Sequence, residues 1–186
     1  MSTTVPGVTG YTPLAKWFHW LTAGLVLAAL PTGFVIAFIS DKDDGIHKMA
    51  FYALHESLGL TVLLLALARL LWRLGHPPPP QPAGLPRGLQ RAATGLHHAA
   101  YGLLILQPVL GFLATNAWGF PMHGQTAYLG LIDLPKFMAA NEGLAGALQG
   151  LHSLGGWLLL GFIVLHLGAV VLHQAIRRDG TLLRMI

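Results

Sequence analysis

The chain contains no cysteine. That excludes disulfides, thiolate-held clusters and a covalently attached c-type haem, so any redox group must be held by nitrogen ligands. Charge is scarce too. Only 10% of the 186 residues are Asp, Glu, Lys or Arg, against 54% hydrophobic, too apolar a balance for an ordinary soluble domain. A basic leader with a small-residue cleavage site is also missing, because Ser2, Thr3 and Thr4 precede the first apolar run. That run is therefore expected to be a retained helix. No internal repeat or low-complexity domain is present. A nucleic-acid partner is not expected, since the net charge of +4 is spread along a chain whose hydropathy belongs in a bilayer.

What is there is length in apolar segments. Four runs, at about 14–39, 50–72, 93–115 and 149–174, are each long enough to cross ~30 Å of hydrocarbon. Residues 1–186 are thus expected to form a single all-α domain, an integral membrane four-helix bundle. The link His76-Pro77-Pro78-Pro79-Pro80-Gln81-Pro82 cannot continue a helix and reads as stiff and extended. The longest connector, about 116–148, holds Gly119, Pro121, Gly124, Gly130 and Pro135, with an apolar patch suited to the interface. Lys16, Arg69, Arg73, Arg87, Arg91, Arg177, Arg178 and Arg184 fall on one side. Lys42, Lys48 and Lys136 fall on the other, with Asp41, Asp43, Asp44, Asp133 and Glu142. The positive-inside rule then predicts a bacterial inner-membrane protein with both termini in the cytoplasm.

Four histidines stand inside these runs or at their rims: His19, His55, His152 and His166. Ionisable side chains in a span are expensive and are functional candidates by default. His152 and His166 are 14 residues apart, close to four turns, so they share a face and lie about 21 Å apart along the axis. With the orientation above, His55 and His152 fall near the outer face, and His19 and His166 near the inner one. Each level draws one imidazole from each of two helices, which is what axial ligation of a porphyrin iron requires. Two bis-histidine b-type haems between the helices are the economical reading. Gly59, Gly155 and Gly156 lie one turn from ligands, and Ala23 and Ala169 also lie near them, so a flat macrocycle could approach; helix packing also favours such residues. A zinc or non-haem centre would want three or four converging ligands, often with carboxylate or thiolate.

The sequence resembles the bacterial cytochrome b561 family of four-helix, di-haem membrane proteins. The likeness rests on Phe18-His19-Trp20-Leu21, on His55-Glu56-Ser57-Leu58-Gly59 followed by Ala68-Arg69-Leu70-Leu71-Trp72-Arg73, on Tyr101 through Gly111, on the His152 to His166 spacing, and on Asp179-Gly180-Thr181-Leu182-Leu183-Arg184-Met185. It covers almost the whole chain. The resemblance implies haem ligation by His19, His55, His152 and His166, transmembrane electron transfer, and quinone, ubiquinone in particular, as acceptor near the cytoplasmic face. Some members resemble superoxide oxidases, which take an electron from superoxide at the outer face. Related four-helix cytochromes serve instead as haem-bearing anchors of dehydrogenases or hydrogenases, with a redox protein as partner.

Quinone reduction needs protons as well as electrons, so polar groups near the inner level become candidates. His173 lies seven residues beyond His166 on nearly the same face and could meet a quinone carbonyl or a haem propionate. Arg69 and Arg73, one turn apart, could pair with propionates; the alternative is an ordinary interfacial anchor. His97 and His98 could be a spare ligand or line a quinone pocket, although interface placement explains them better. His47, His76 and His123 sit in connectors, where solvated histidine is ordinary. Trp17, Trp20, Trp72 and Trp118 read as aromatic anchors. The outer acids count against a superoxide anion as donor, unless Lys42, His47 and Lys48 focus a local positive field.

Overall fold

Helix α1 (Pro13–Phe38) opens on proline, whose fixed φ suits a first turn, and the Thr12 hydroxyl caps it by accepting the Ala15 N–H at 3.3 Å. The computed structural model describes residues 10–38, 46–81, 84–120 and 127–186. Lys42, the three aspartates 41, 43 and 44, Pro82, Pro121, His123 and Gly124 lie outside the described residues, as do the side chains of His47 and Lys48. Helix α2 (Ile46–Gly75) stops where the proline run begins. His76 closes its end, its Nδ1 donating to the Trp72 carbonyl at 3.1 Å while its ring stacks on the Trp72 indole at 3.5 Å.

Helix α3 (Arg87–Ala117) follows Pro86. It starts earlier than its apolar run because Arg87, Gln90 and Arg91 make a polar helical turn before the hydrocarbon is reached. A short hairpin follows, β1 (Ala127–Tyr128) pairing antiparallel with β2 (Ile132–Asp133). Its turn takes left-handed backbone at Leu129 (φ 55°) and Gly130 (φ 70°). A leucine there is strained, and the surroundings hold it: the Leu129 N–H donates to the Ser57 hydroxyl at 3.0 Å, and Tyr128 meets Thr61 at 3.1 Å. Helix α4 (Glu142–Val171) is capped by Asn141, whose side chain accepts the Leu144 N–H at 3.0 Å. It runs on into a π-helical turn, Leu172–Arg177, and stops at left-handed Arg178.

All four helices are long and apolar enough to span a membrane, and leucines and valines such as Leu27, Leu71, Val164 and Leu165 remain exposed on their outer faces. A bilayer is the solvent that such a surface requires. α1 packs on α2, α3 on α4, and α2 on α3, whereas among the described residues α1 and α4 hardly touch through their backbones. α1 and α4 meet instead through side chains, with the Phe34 and Trp157 rings 4.9 Å apart between centres. Its dry centre is Val26, Val62 and Leu159, ringed by Leu25, Leu30, Leu103, Leu104, Phe162 and Ile163.

Fully buried Asn116 ties the outer segment to α3, its Oδ1 accepting the Phe137 N–H at 3.0 Å and its Nδ2 donating to the Pro135 carbonyl at 3.2 Å. Asn116→Ala strands both backbone groups, and a stability loss of about 1–3 kcal/mol is expected. Hydrogen exchange should quicken at Phe137 and its neighbours; unchanged protection there would contradict this role.

Candidate metal centres

The fold brings the four histidines together in two pairs. The rings of His55 (α2) and His152 (α4) lie 5.9 Å apart between centres, and those of His19 (α1) and His166 (α4) lie 6.1 Å apart. A metal held between two imidazole nitrogens, at ~2 Å from each, places ring centres about 6 Å apart. Both pairs have that separation. Val26, Val62 and Leu159 each lie seven residues from a paired histidine, so the dry centre sits two turns, about 10.5 Å, from either level.

At the His55–His152 level, the expected outer one, the imidazoles are held by an arrangement used twice. His55 Nδ1 donates to the Ala29 carbonyl at 3.0 Å, with the Thr32 hydroxyl at 3.1 Å. His152 Nδ1 donates to the Gln107 carbonyl at 3.0 Å. In both cases the acceptor stands four residues before a glycine on which the ring rests. A Cβ at Gly33 would meet His55 Cε1 at 2.9 Å, and one at Gly111 would meet His152 Cε1 at 3.0 Å. Each segment carries a proline, Pro31 in α1 and Pro108 in α3. With Nδ1 committed, the tautomer is fixed and Nε2 is left as the atom able to ligate, the usual state of a metal-ligating histidine.

A cavity of about 1300 Å³ contains this level, lined by Gly33, Phe34, His55, Gly111, His152 and Trp157 among others. It exceeds the roughly 300–1,000 Å³ of drug-sized sites and is mostly apolar, as a macrocycle requires. Gly59 and Gly156 line it. Gly155 serves differently: a Cβ there would collide with the Gln107 side chain, whose Nε2 donates to the His152 carbonyl at 2.9 Å. Glu56 also lines the cavity, accepting from the Thr115 hydroxyl at 3.0 Å.

The His19–His166 level, the expected inner one, is built otherwise. Among the described residues no hydrogen bond engages the His19 or His166 ring; Trp20 meets His19 edge-on at 5.2 Å and Phe162 stacks on His166 at 6.0 Å. Arg69 and His97 are close enough to act electrostatically on His19, and His97 on His166. The Arg69 and Arg73 guanidiniums each lie 5.6 Å from the Tyr101 ring centre. The Tyr101 hydroxyl is buried and, among the described residues, lacks a hydrogen-bond partner. Two guanidiniums beside an unsatisfied hydroxyl fit an anionic acceptor such as a propionate. Spacing alone does not single out Tyr101, nor Gly33 and Gly111.

Residues 185 and 186 fold back onto the start of α1, at the His19 end of the bundle. Trp20 Nε1 donates to the Met185 carbonyl at 2.9 Å, and Lys16 donates to the Ile186 carbonyl at 2.6 Å. His173 Nδ1 bonds Asp179 at 2.6 Å, and Arg177 Nε reaches the same carboxylate at 3.3 Å. Desolvation alone would raise the Asp179 carboxyl, but hydrogen bonds from Thr181 and His173 outweigh it and hold the group at about 2 against an ordinary 3.8. A depressed carboxylate stabilises the fold above its unfolded value and loses that contribution as pH falls through its folded one. The docked tail should therefore loosen between pH 3.8 and about 2, and Asp179→Asn should remove this dependence. Exchange of the 179–185 amides, corrected for intrinsic rates, checks both; an identical acid profile in the variant would contradict it.

Among the described residues, no three side chains of His, Cys, Asp or Glu converge as a zinc centre would need. The geometry defines a class: a four-helix membrane protein presenting an imidazole pair at each of two depths. The sequence matches the prokaryotic cytochrome b561 family over residues 10–186, and the chain belongs to that family. It is 32% identical over 177 residues to a probable superoxide oxidase of Yersinia pestis, covering 95% of both chains. It is 31% identical over 177 residues to cytochrome b561 homolog 2 of Escherichia coli K12, covering 95% of this chain and 90% of that one. Cytochrome b562 of Cereibacter sphaeroides is 31% identical over 181 residues, with 95% of each covered. The protein is thus a multi-pass bacterial membrane cytochrome of b type, acting in electron transfer.

Proposed function

We propose that the protein holds two b-type haems, one between His55 and His152 and one between His19 and His166, and carries electrons from an outer-face donor to ubiquinone near the cytoplasmic face. It would sit in the inner membrane with both termini inside, as the basic residues of the proline link and tail suggest. The observation that carries this reading is the matched separation of the two ring pairs, 5.9 and 6.1 Å. Haem, when bound, supplies a one-electron iron couple at each level. The four Nε2 atoms hold it, and the Ala29 and Gln107 carbonyls orient the outer imidazoles. Val26, Val62 and Leu159 exclude water between the levels. Arg69, Arg73 and Tyr101 would bind propionate, while His173, whose Nδ1 donates to Asp179, would offer its other nitrogen as acceptor to a hydroxyl of the reduced quinone.

The Yersinia relative's name supports superoxide as the donor. Balance then requires two superoxide ions for each quinone: two electrons leave as two O₂ form, and the quinone gains both with two protons taken from the cytoplasmic side. The acidic outer connectors favour a second reading, in which a cationic redox protein docks there and the chain serves as the electron-carrying subunit of a larger dehydrogenase or hydrogenase complex. Haem-loaded protein mixed with superoxide and then with a short-chain ubiquinone separates the two. Rapid reduction and reoxidation without a partner support the first; failure of both overturns it in favour of the second.

A further inference from the structure

We propose that the hairpin β1–β2 is a re-entrant wedge, inserted tip first into the hydrocarbon of the leaflet on the His55 side, with lipid acyl chains as the partner of its exposed face.

Depth carries the inference. The hairpin is fastened to α2 at two points: the Leu129 N–H donates to the Ser57 hydroxyl at 3.0 Å, and the Tyr128 hydroxyl meets that of Thr61 at 3.1 Å. Thr61 gives its own proton to the Ser57 carbonyl at 2.7 Å, so Tyr128 is the donor to it. The spanning part of α2, Met49–Gly75, has 27 residues and is about 40 Å long. Centred on ~30 Å of hydrocarbon, it overhangs by about 5 Å at each end. Ser57 then lies about 7 Å beneath the hydrocarbon surface and Thr61 about 13 Å beneath it, near the midplane. The hairpin tip is therefore at acyl-chain depth.

The surroundings are those of lipid. Leu54, Ser57, Thr61 and Leu64 follow one another at helical spacing on one face of α2. Leu54 is 48% and Leu64 51% exposed, so the hairpin is continuous with a stripe that faces the bilayer above and below it. Its own outward side chains are apolar: Leu129 is 60%, Leu131 83% and Ile132 60% exposed. Charge begins at the base, where Asp133 stands opposite Ala127. The backbone is satisfied as hydrocarbon demands: the strands pair, the Leu131 N–H closes the turn on the Tyr128 carbonyl at 3.0 Å, and Ser57 takes the Leu129 N–H. Leu134 and Pro135, next along the chain, line the cavity that contains His55 and His152. The inserted hairpin thereby anchors one wall of that cavity to the membrane.

Because the chain has no cysteine, a single introduced one can carry a probe. Leu131→Cys, labelled with an environment-sensitive fluorophore and reconstituted in phosphatidylcholine vesicles, should lose most of its emission when the lipids are brominated on their acyl chains. It should lose almost none to iodide present on both sides of the membrane. Lys136→Cys, five residues further on, should behave in the opposite way. Ile132→Cys supplies the same reading if the first variant does not fold. Iodide quenching at position 131 equal to that at 136 would overturn the proposal by placing the hairpin in water. Protection of 131 from both quenchers would overturn it as well, by showing that a protein surface, such as a second copy of the chain, covers the tip.

Discussion

His152→Ala should yield a protein that binds half the haem of its parent, with the reduced-minus-oxidised absorbance falling by about half and the thermal transition persisting. The expectation follows from the separation of the levels. His152 and His166 stand 14 residues apart on α4, about 21 Å along the axis, and the layer around Val26, Val62 and Leu159 isolates one from the other. Sites that far apart with no shared partner behave additively. The alanine leaves the inner pair whole, and it leaves the Gln107 carbonyl facing the cavity. His55→Ala should empty the same level. The double variant should lose no more haem than either single one, whereas His152→Ala with His166→Ala should lose all of it. Haem content measured per chain would contradict the pairing if His55→Ala and His152→Ala emptied different levels.

The second large effect is expected at glycines that bear no ligand. A Cβ at Gly33 would stand 2.9 Å from His55 Cε1, and one at Gly111 would stand 3.0 Å from His152 Cε1. These are ring atoms pinned from behind by carbonyl hydrogen bonds, so they cannot retreat without breaking them. Gly33→Val or Gly111→Val must therefore tilt the imidazole away from the axis it shares with its partner. Overpacking of this kind costs about 1–3 kcal/mol, which corresponds to roughly 5- to 150-fold weaker outer-level haem affinity. Gly24, where a Cβ would meet nothing, is the control, and Gly24→Ala should leave affinity unchanged. Haem transfer to apomyoglobin reads the affinity. Parent-like retention in the valine variants would mean that these rings are not held where the geometry puts them.

The spans were legible because hydropathy reports the hydrocarbon, but hydropathy does not report where a helix begins. α3 therefore starts at Arg87, in a polar turn that no apolar run could reveal. The pairing of histidines was legible for a related reason: one spacing on α4 and the alternation of chain direction fix depth. What lies across a helix interface is not written in spacing along one helix. Small residues beside the paired histidines on their own helices, such as Gly155, are plain in the sequence, yet Gly155 makes room for Gln107, and the glycines under the rings belong to α1 and α3. The repeated order of carbonyl, proline and glycine in Ala29 to Gly33 and in Gln107 to Gly111 was the available signal. The hairpin was beyond reach, since its two-residue strands are held by Ser57 and Thr61, more than sixty residues earlier. His173 illustrates the intermediate case. Its place beyond His166 at the end of α4 could be read from the spacing, but its bond to Asp179 depends on the tail folding back.

The central claim is that electrons cross the membrane through two histidine levels in series. Its most direct test uses vesicles containing the haem-loaded protein, with ferricyanide trapped inside and dithionite added outside. The account predicts that the trapped acceptor is reduced by the parent protein, and that His152→Ala and His166→Ala each abolish this reduction. Reduction at the parent rate with either level emptied would contradict it.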